Sequence, residues 1–293
     1  MPDTPPVFRF APSPNGLLHL GHALSALLNH DMAKAANGRF LLRIEDIDQT
    51  RCRPEFEAAI FEDLAWLRLD WERPVRRQSE HLDAYASALH RLDALGIVYP
   101  SAMTRGEIKA AVTDAEAGGR IWPRDPDGSP LYPGRERELL QIERAALVAS
   151  GKAYAWRLDM EKAVALLGKD RLTWAENGHG PEGETGTIIA NPAAWGDIIL
   201  SRSDAPSSYH LSVVVDDALQ GITHVVRGRD LYQATAVHRL LQQLLGLPEP
   251  LYHHHRLVLG PDGRKLSKSN QDTGIAAFRA AGRTPEEIRV LIG

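Results

Sequence analysis

Two short stretches of this sequence carry side chains whose types and spacing suit the handling of a polyphosphate. In His19-Leu-Gly-His22 two imidazoles stand one helical turn apart. Where such a pair opens a helix, outward-pointing backbone N–H groups and the helix dipole favour an anion, and Gly21 removes a side chain where a nucleotide could lie. The plainer reading is a pair of surface or capping residues, because short motifs match by chance. In Lys265-Leu-Ser-Lys-Ser269, after the turn Gly260-Pro-Asp-Gly263, two lysines with hydroxyls between them can close over a triphosphate and neutralise charge as pyrophosphate leaves. A solvated basic loop is the plainer reading there.

The elements around these stretches form a nucleotide-binding pattern. Residues 7–10 read as a short apolar strand, and Pro12, Pro14 and Gly16 punctuate the loop after it. From Leu20 onward Leu24, Leu27, Leu28 and Met32 share one helical face, Asn37-Gly38 offers a left-handed stop, and residues 39–44 read as a second strand. That strand–helix–strand unit is the building block of a parallel sheet, and it puts the 11–16 loop at a carboxyl end, where such sheets bind ligands. Pro54 suits the first turn of a helix, and a further helix carrying Leu82 to Leu95 stops at Gly96. Between Ser101 and Trp195 the signals are irregular, with glycine-rich and Pro/Asp/Gly clusters. Regularity returns with expected strands at 197–200, 209–215 and 222–227, a helix bearing Leu231 to Leu245, and a capping box, Thr284-Pro-Glu-Glu287, opening a last helix. The fold class expected is α/β, a parallel sheet flanked by helices. Residues 1–100 and 195–293 form the nucleotide-binding domain, and 101–194 form an inserted α+β subdomain of acceptor type with mobile loops.

Composition narrows the partners. With 293 residues, 43% hydrophobic and 25% charged, the chain suits a globular protein with a sizeable core. A net charge of -4 excludes a histone-like basic coat, so any nucleic acid must be held by a local patch. Cys52, the single cysteine, allows neither an internal disulfide nor a multi-cysteine metal site. No apolar run approaches membrane-spanning length and the first residues lack a signal-peptide pattern, so a cytoplasmic protein with no membrane partner is expected, and a monomer.

The order of the two phosphate motifs, one after the first strand and one near the end of the nucleotide fold, resembles class I aminoacyl-tRNA synthetases. Arg9-Phe-Ala-Pro-Ser-Pro-Asn-Gly16, Leu42-Arg-Ile-Glu-Asp-Ile-Asp48, Ser208-Tyr-His-Leu211 and Val214-Val-Asp-Asp217 running to Gly221-Ile-Thr-His-Val-Val-Arg-Gly228 are similar to the glutamate-specific branch. The resemblance spans Val7 to Ser269 and implies a Rossmann-like catalytic domain using L-glutamate and ATP with Mg²⁺. It implies that His19, Gly21, His22 and Lys268 bind ATP and that His19, His22, Lys265 and Lys268 serve the reaction. It places Arg9, Phe10, Ala11, Pro12, Ser13, Glu45, Tyr209 and Arg227 around glutamate. The two arginines would hold carboxylates, Glu45 would accept from the ammonium group, and Ser13 and Tyr209 would fix orientation. An amide could not satisfy a buried arginine as a carboxylate does, so glutamine is disfavoured.

Only 24 residues follow Ser269, which leads us to expect no helical anticodon-binding domain. In this the chain resembles the stand-alone glutamyl-Q tRNA(Asp) synthetase group, which activates glutamate without tRNA and attaches it to queuosine in the anticodon loop of tRNA(Asp). The alternatives are a truncated enzyme charging the 3′ end of tRNA(Glu), or a nucleotidyltransferase of the same fold. That group often carries zinc in the insertion. Here the matching positions are Ser101, Met103, Tyr132 and Glu136, and no structural zinc is expected. His253-His254-His255 reads as a polar strand edge near the phosphates, since adjacent residues of a strand alternate faces.

Overall fold

Val7, Phe8, Arg9 and Phe10 are all buried, so the first strand lacks the in–out alternation of a surface strand and belongs inside a covered parallel sheet. The computed structural model describes residues 4–203, 205–260 and 274–293. The chain begins β1 (Val7–Phe10), α1 (Leu20–Ala35), β2 (Arg39–Ile44), α2 (Pro54–Trp66), β3 (Glu72–Arg77) and α3 (Leu82–Ala94). It continues with β4 (Val98–Ser101), α4 (Arg105–Ala117), α5 (Gln141–Ala149), β5 (Ala155–Leu158), α6 (Met160–Ala165), β6 (Thr173–Glu176), β7 (Gly186–Ile189) and β8 (Ile199–Arg202). Last come α7 (Tyr209–Leu219), β9 (His224–Gly228), α8 (Thr235–Leu245), β10 (Leu251–His255), α9 (Ile275–Ala280) and α10 (Pro285–Ile292).

The main sheet has seven strands in the order β3-β2-β1-β9-β10-β6-β7, parallel throughout except for β6 against β7. The order grows outward from β1 in one direction and from β9 in the other. A crevice therefore opens past the carboxyl ends of β1 and β9, where the connections part to opposite sides. One face is packed by Leu24 and Leu27 of α1, Ile60 and Leu64 of α2, and Ile288 of α10. On the other face Ala236 of α8 packs with Val225 and Tyr252. Entry into β2 is tight: Asn37 takes φ 49, and a Cβ at Gly38 would lie 2.4 Å from the Pro6 carbonyl oxygen, so only glycine fits.

A second sheet, β4-β5-β8, is antiparallel. Residues 101–194 feed both sheets, β5 into the small one and β6 and β7 into the edge of the large one. Among the described residues no helix is long and apolar enough to cross a membrane.

Two expectations need correction. Residues 209–215 are not a strand but the first half of α7, whose N-cap Ser208 accepts from the Leu211 amide. The helix is buried nearly all round, from Leu211 through Asp217, so its apolar run shows no helical stripe, and three consecutive valines look like a strand. The three histidines are not on a strand edge. β10 is paired on both sides, by β9 and β6, and His254 is 1% exposed. A carboxylate described below makes that burial possible.

Candidate active site

A cavity of about 580 Å³ opens at the crevice between β1 and β9. Around it lies every described residue that the resemblance assigns to ATP or glutamate. Arg9, Phe10, Ala11, Pro12 and Ser13 come from β1 and its loop, and His19, Gly21 and His22 from the start of α1. Glu45 follows β2, Tyr209 opens α7, and Arg227 is the penultimate residue of β9. Lys265 and Lys268 lie outside the described residues. On either side of their segment, Val258 lines the cavity and Gly274 forms a β-bridge to His19.

At the α1 end the imidazoles cap the helix. His19 Nδ1 accepts from the Gly21 amide and His22 Nδ1 accepts from the His19 amide, each at 3.1 Å, with the rings 3.8 Å apart. An Nδ1 that accepts must leave the proton on Nε2, so both rings carry an N–H there. Capping and anion binding therefore do not compete: one nitrogen caps while the other can donate to a phosphate oxygen. The first turn of α1 holds no acidic residue to oppose an anion.

The opposite end is built on buried charge. Arg9 donates through Nε and one terminal nitrogen to both oxygens of Asp217, at 3.0 and 3.3 Å. Arg43, fully buried, donates to Asp217 at 2.8 Å and to Glu45 at 3.2 Å. Burial works against the Arg43 charge, yet Asp217, Glu45 and Asp216 outweigh it and hold its pKa above the ordinary range. Burial also pushes Asp217 upward, but Arg9 and Arg43 overcome it and keep that carboxyl below the usual carboxylate range. Glu45 goes the other way: burial lifts its pKa in spite of Arg43 and Arg9.

Arg227 is held differently. Its Nε donates to His254 Nε2 at 3.1 Å and one terminal nitrogen to His238 Nδ1 at 3.1 Å. The other terminal nitrogen donates to the Leu231 carbonyl at 3.1 Å and to Thr235 Oγ1 at 2.8 Å. Its guanidinium carbon also stands 5.4 Å from the Tyr252 ring centroid. Among the described residues no carboxylate pairs with it directly.

A second cavity of about 520 Å³ adjoins the first and shares Ser13, Glu45 and Tyr209 with it. Tyr209, 37% exposed, stands between the two. Asp48, Arg51, Arg202 and His210 add polar groups to this second wall.

Asp217, Glu176, His238 and His210 were not singled out from the sequence as site residues. For Asp217 a signal existed, since two aspartates that directly follow the apolar run 211–215 on the same element must be buried with partners. His210 stood inside the quoted stretch Ser208-Tyr-His-Leu211, whereas Glu176 and His238 carried no signal, because their partners come from segments far apart in the chain. The insertion positions that would hold zinc do not fit it. The Tyr132 hydroxyl donates to Glu136 at 2.5 Å, Glu136 also accepts the Ala102 amide, and Ser101 Oγ accepts from Arg157, while Met103 offers a neutral thioether. Hydroxyl, carboxylate and guanidinium satisfy one another there. No cluster of three or more His, Cys, Asp or Glu able to hold a metal occurs among the described residues.

The family described as tRNA synthetases class I (E and Q), catalytic domain, matches residues 7–292. A glutamyl-Q tRNA(Asp) synthetase from Rhodobacter capsulatus is 45% identical over 98% of this chain and 99% of its own length. One from Symbiobacterium thermophilum is 40% identical over 96% of this chain and 83% of its own. A glutamate–tRNA ligase of Aquifex aeolicus is 36% identical, but this chain spans 55% of its length. Among solved structures, a glutamate tRNA ligase from Elizabethkingia meningosepticum in complex with its amino acid superposes with a TM-score of 0.73 at 29% identity. It covers 92% of this chain, which spans 53% of that one.

Proposed function

The chain belongs to the class I tRNA synthetases of the glutamate and glutamine branch, a family of ATP-dependent ligases, and from that premise we propose that it activates L-glutamate with ATP and passes the glutamyl group to queuosine in tRNA(Asp). The observation that carries this reading is the single cavity with a helix N-terminus and two imidazole donors at one end and buried arginines at the other. Glutamate sits with its carboxylates toward Arg9 and Arg227 and its ammonium group toward Glu45. An oxygen of its α-carboxylate attacks the α-phosphorus of ATP, the bond to pyrophosphate breaks, and glutamyl-adenylate forms. No protein nucleophile is needed, and catalysis is positioning plus stabilisation of charge on the phosphates. His19 and His22 donate to phosphate oxygens, and Lys265 and Lys268 neutralise the departing pyrophosphate. Mg²⁺ accompanies ATP and shields its phosphates, and we assign it no protein ligand.

In the second step a hydroxyl of the acceptor attacks the activated carbonyl and AMP leaves. The second cavity, sharing Ser13, Glu45 and Tyr209 with the first, is where the acceptor nucleoside reaches the adenylate. Queuosine as acceptor draws support from relatives of that name aligned along nearly the whole chain. The competing reading, transfer to the 3′ end of tRNA(Glu), draws on the glutamate–tRNA ligases, which are similar over as much of this chain.

Incubating the protein with labelled glutamate, ATP and total tRNA from cells with and without queuosine separates the two. We expect glutamate-dependent exchange of pyrophosphate into ATP without tRNA, and label in the anticodon loop only where queuosine is present. Label at the 3′ end of tRNA(Glu) would replace the first reading by the second, and no exchange in any tRNA background would remove both.

A further inference from the structure

Arg227 lies in the middle of a chain of side chains that runs from β6 to the second cavity. At the far end Glu176, 1% exposed, takes the His254 backbone amide on one oxygen at 2.8 Å and its ring Nδ1 on the other at 2.6 Å. The Gly178 amide and Trp174 Nε1 add to its acceptor load, at 2.9 and 3.3 Å. Four donors on one buried carboxyl require the carboxylate form.

From there each proton has one place to go. The Arg227 guanidinium is always protonated and can only donate, so His254 Nε2 must accept and its proton must sit on Nδ1, facing Glu176. By the same logic His238 Nδ1 accepts from Arg227 and carries its proton on Nε2. That Nε2 stands 3.1 Å from His210 Nδ1, which must accept in turn, leaving His210 with its proton on Nε2. His210 lines the second cavity, so the chain ends on its wall as a hydrogen-bond donor. A second proton on any of the three rings would set N–H against N–H beside a fixed cation, and burial with Arg227 nearby holds all three in the neutral form.

We propose that Glu176, His254 and His238 are positioning residues for substrate recognition, holding Arg227 by neutral nitrogen acceptors so that its charge stays uncompensated for the carboxylate of the bound amino acid. Carboxylates in those places would orient the guanidinium equally well, but they would supply its counter-ion and remove most of the reason to prefer an acid over its amide. The chain also ties the arginine to the acceptor side of the site through the His210 proton.

This inference rests on the reading that Arg227 faces the substrate, and its test has two independent arms. The first is the imidazole ¹⁵N shifts of the histidine-labelled protein at neutral pH, with resonances assigned by His238→Gln and His210→Gln. We expect Nε2–H, Nδ1-bare rings at His238 and His210 and the opposite tautomer at His254; an imidazolium, or a proton on His238 Nδ1, overturns the chain whatever the activity. The second arm is the glutamate KM in pyrophosphate exchange. His238→Gln, which keeps a donor toward His210 but loses the acceptor for Arg227, should raise KM about tenfold with kcat less affected. His238→Asn, which keeps an acceptor at the place of Nδ1, should recover most of that loss, and His238→Asp should lower the preference for glutamate over glutamine. Equal damage from Asn and Gln, or none from either, overturns the positioning role. If Arg227→Lys leaves the glutamate KM unchanged while the tautomers are as expected, the placement of the substrate is at fault rather than the chain.

Discussion

The two arginines proposed to hold the substrate, Arg9 and Arg227, are buried to the same degree, yet they are held by opposite chemistry. Arg9, 4% exposed, is gripped on two nitrogens by Asp217, a carboxylate it shares with Arg43. Arg227, 5% exposed, has a backbone carbonyl, a hydroxyl and two imidazoles, and among the described residues no carboxylate in contact. The first arrangement makes a rigid, nearly neutral floor. The second leaves a buried cation whose contacts among the described residues are all neutral, and a carboxylate entering the cavity would supply the missing counter-ion. Orienting a guanidinium and neutralising it are thus separable: Arg9 is both oriented and paired with a carboxylate, whereas Arg227 is oriented by neutral groups.

The largest effect should come from breaking the carboxylate-held side. Asp217→Asn leaves Arg43 and Arg9 short of a buried partner and should cost about 3–5 kcal/mol of stability, read by denaturant unfolding. A loss below about 1 kcal/mol would show that Glu45 and Asp216 suffice for Arg43 and that the floor is not built as described. On the imidazole-held side Arg227→Lys should leave folding largely intact and lower kcat/KM for glutamate about 10- to 100-fold, since a point charge replaces a two-pronged donor. The KM for ATP should not move, and a comparable loss there would mean that Arg227 is not confined to the amino-acid end.

Gly178→Ala tests the support beneath His254. Its Cβ would lie 2.4 Å from the His254 carbonyl oxygen and 2.6 Å from its amide nitrogen, so the backbone must shift, at about 1–3 kcal/mol. The glutamate KM should rise with the instability, whereas Asp217→Asn should affect both substrates.

A further effect is on pH dependence. Burial, with Arg227 nearby, pushes His210 and His254 from the ordinary 6.5 down to about 4. Between those values the unfolded chain binds protons that the folded rings refuse, so stability should fall as pH is lowered from about 6.5 to about 4. Asp63, raised by burial to about 6, works in the opposite sense over part of the range and limits the change. A melting temperature flat or rising over that interval on acidification would mean that the rings are already charged in the fold.

Much of the architecture was legible because it depends on neighbours in the chain. β1, α1 and β2 fall where the apolar spacing and the Asn37-Gly38 stop place them, and Thr284 with Glu287 does close a capping box on α10. The site residues of the 9–22 stretch came together because they sit on one strand, its loop and the next helix. Helix α7 was illegible because periodicity reports only the difference between two faces, and a helix buried all round has none. For the same reason His254 looked like a polar edge residue: the carboxylate that lets it be buried is Glu176, 78 residues away.

What the sequence determined by itself was the strand–helix unit with its capping imidazoles, since helix start, glycine and imidazoles are set by positions a few residues apart. Only the tertiary structure decided how the arginines are held. A guanidinium's counter-ion, or the lack of one, is a matter of which distant segments the sheet order brings within 3 Å, roughly one hydrogen bond, and no local pattern encodes that distance.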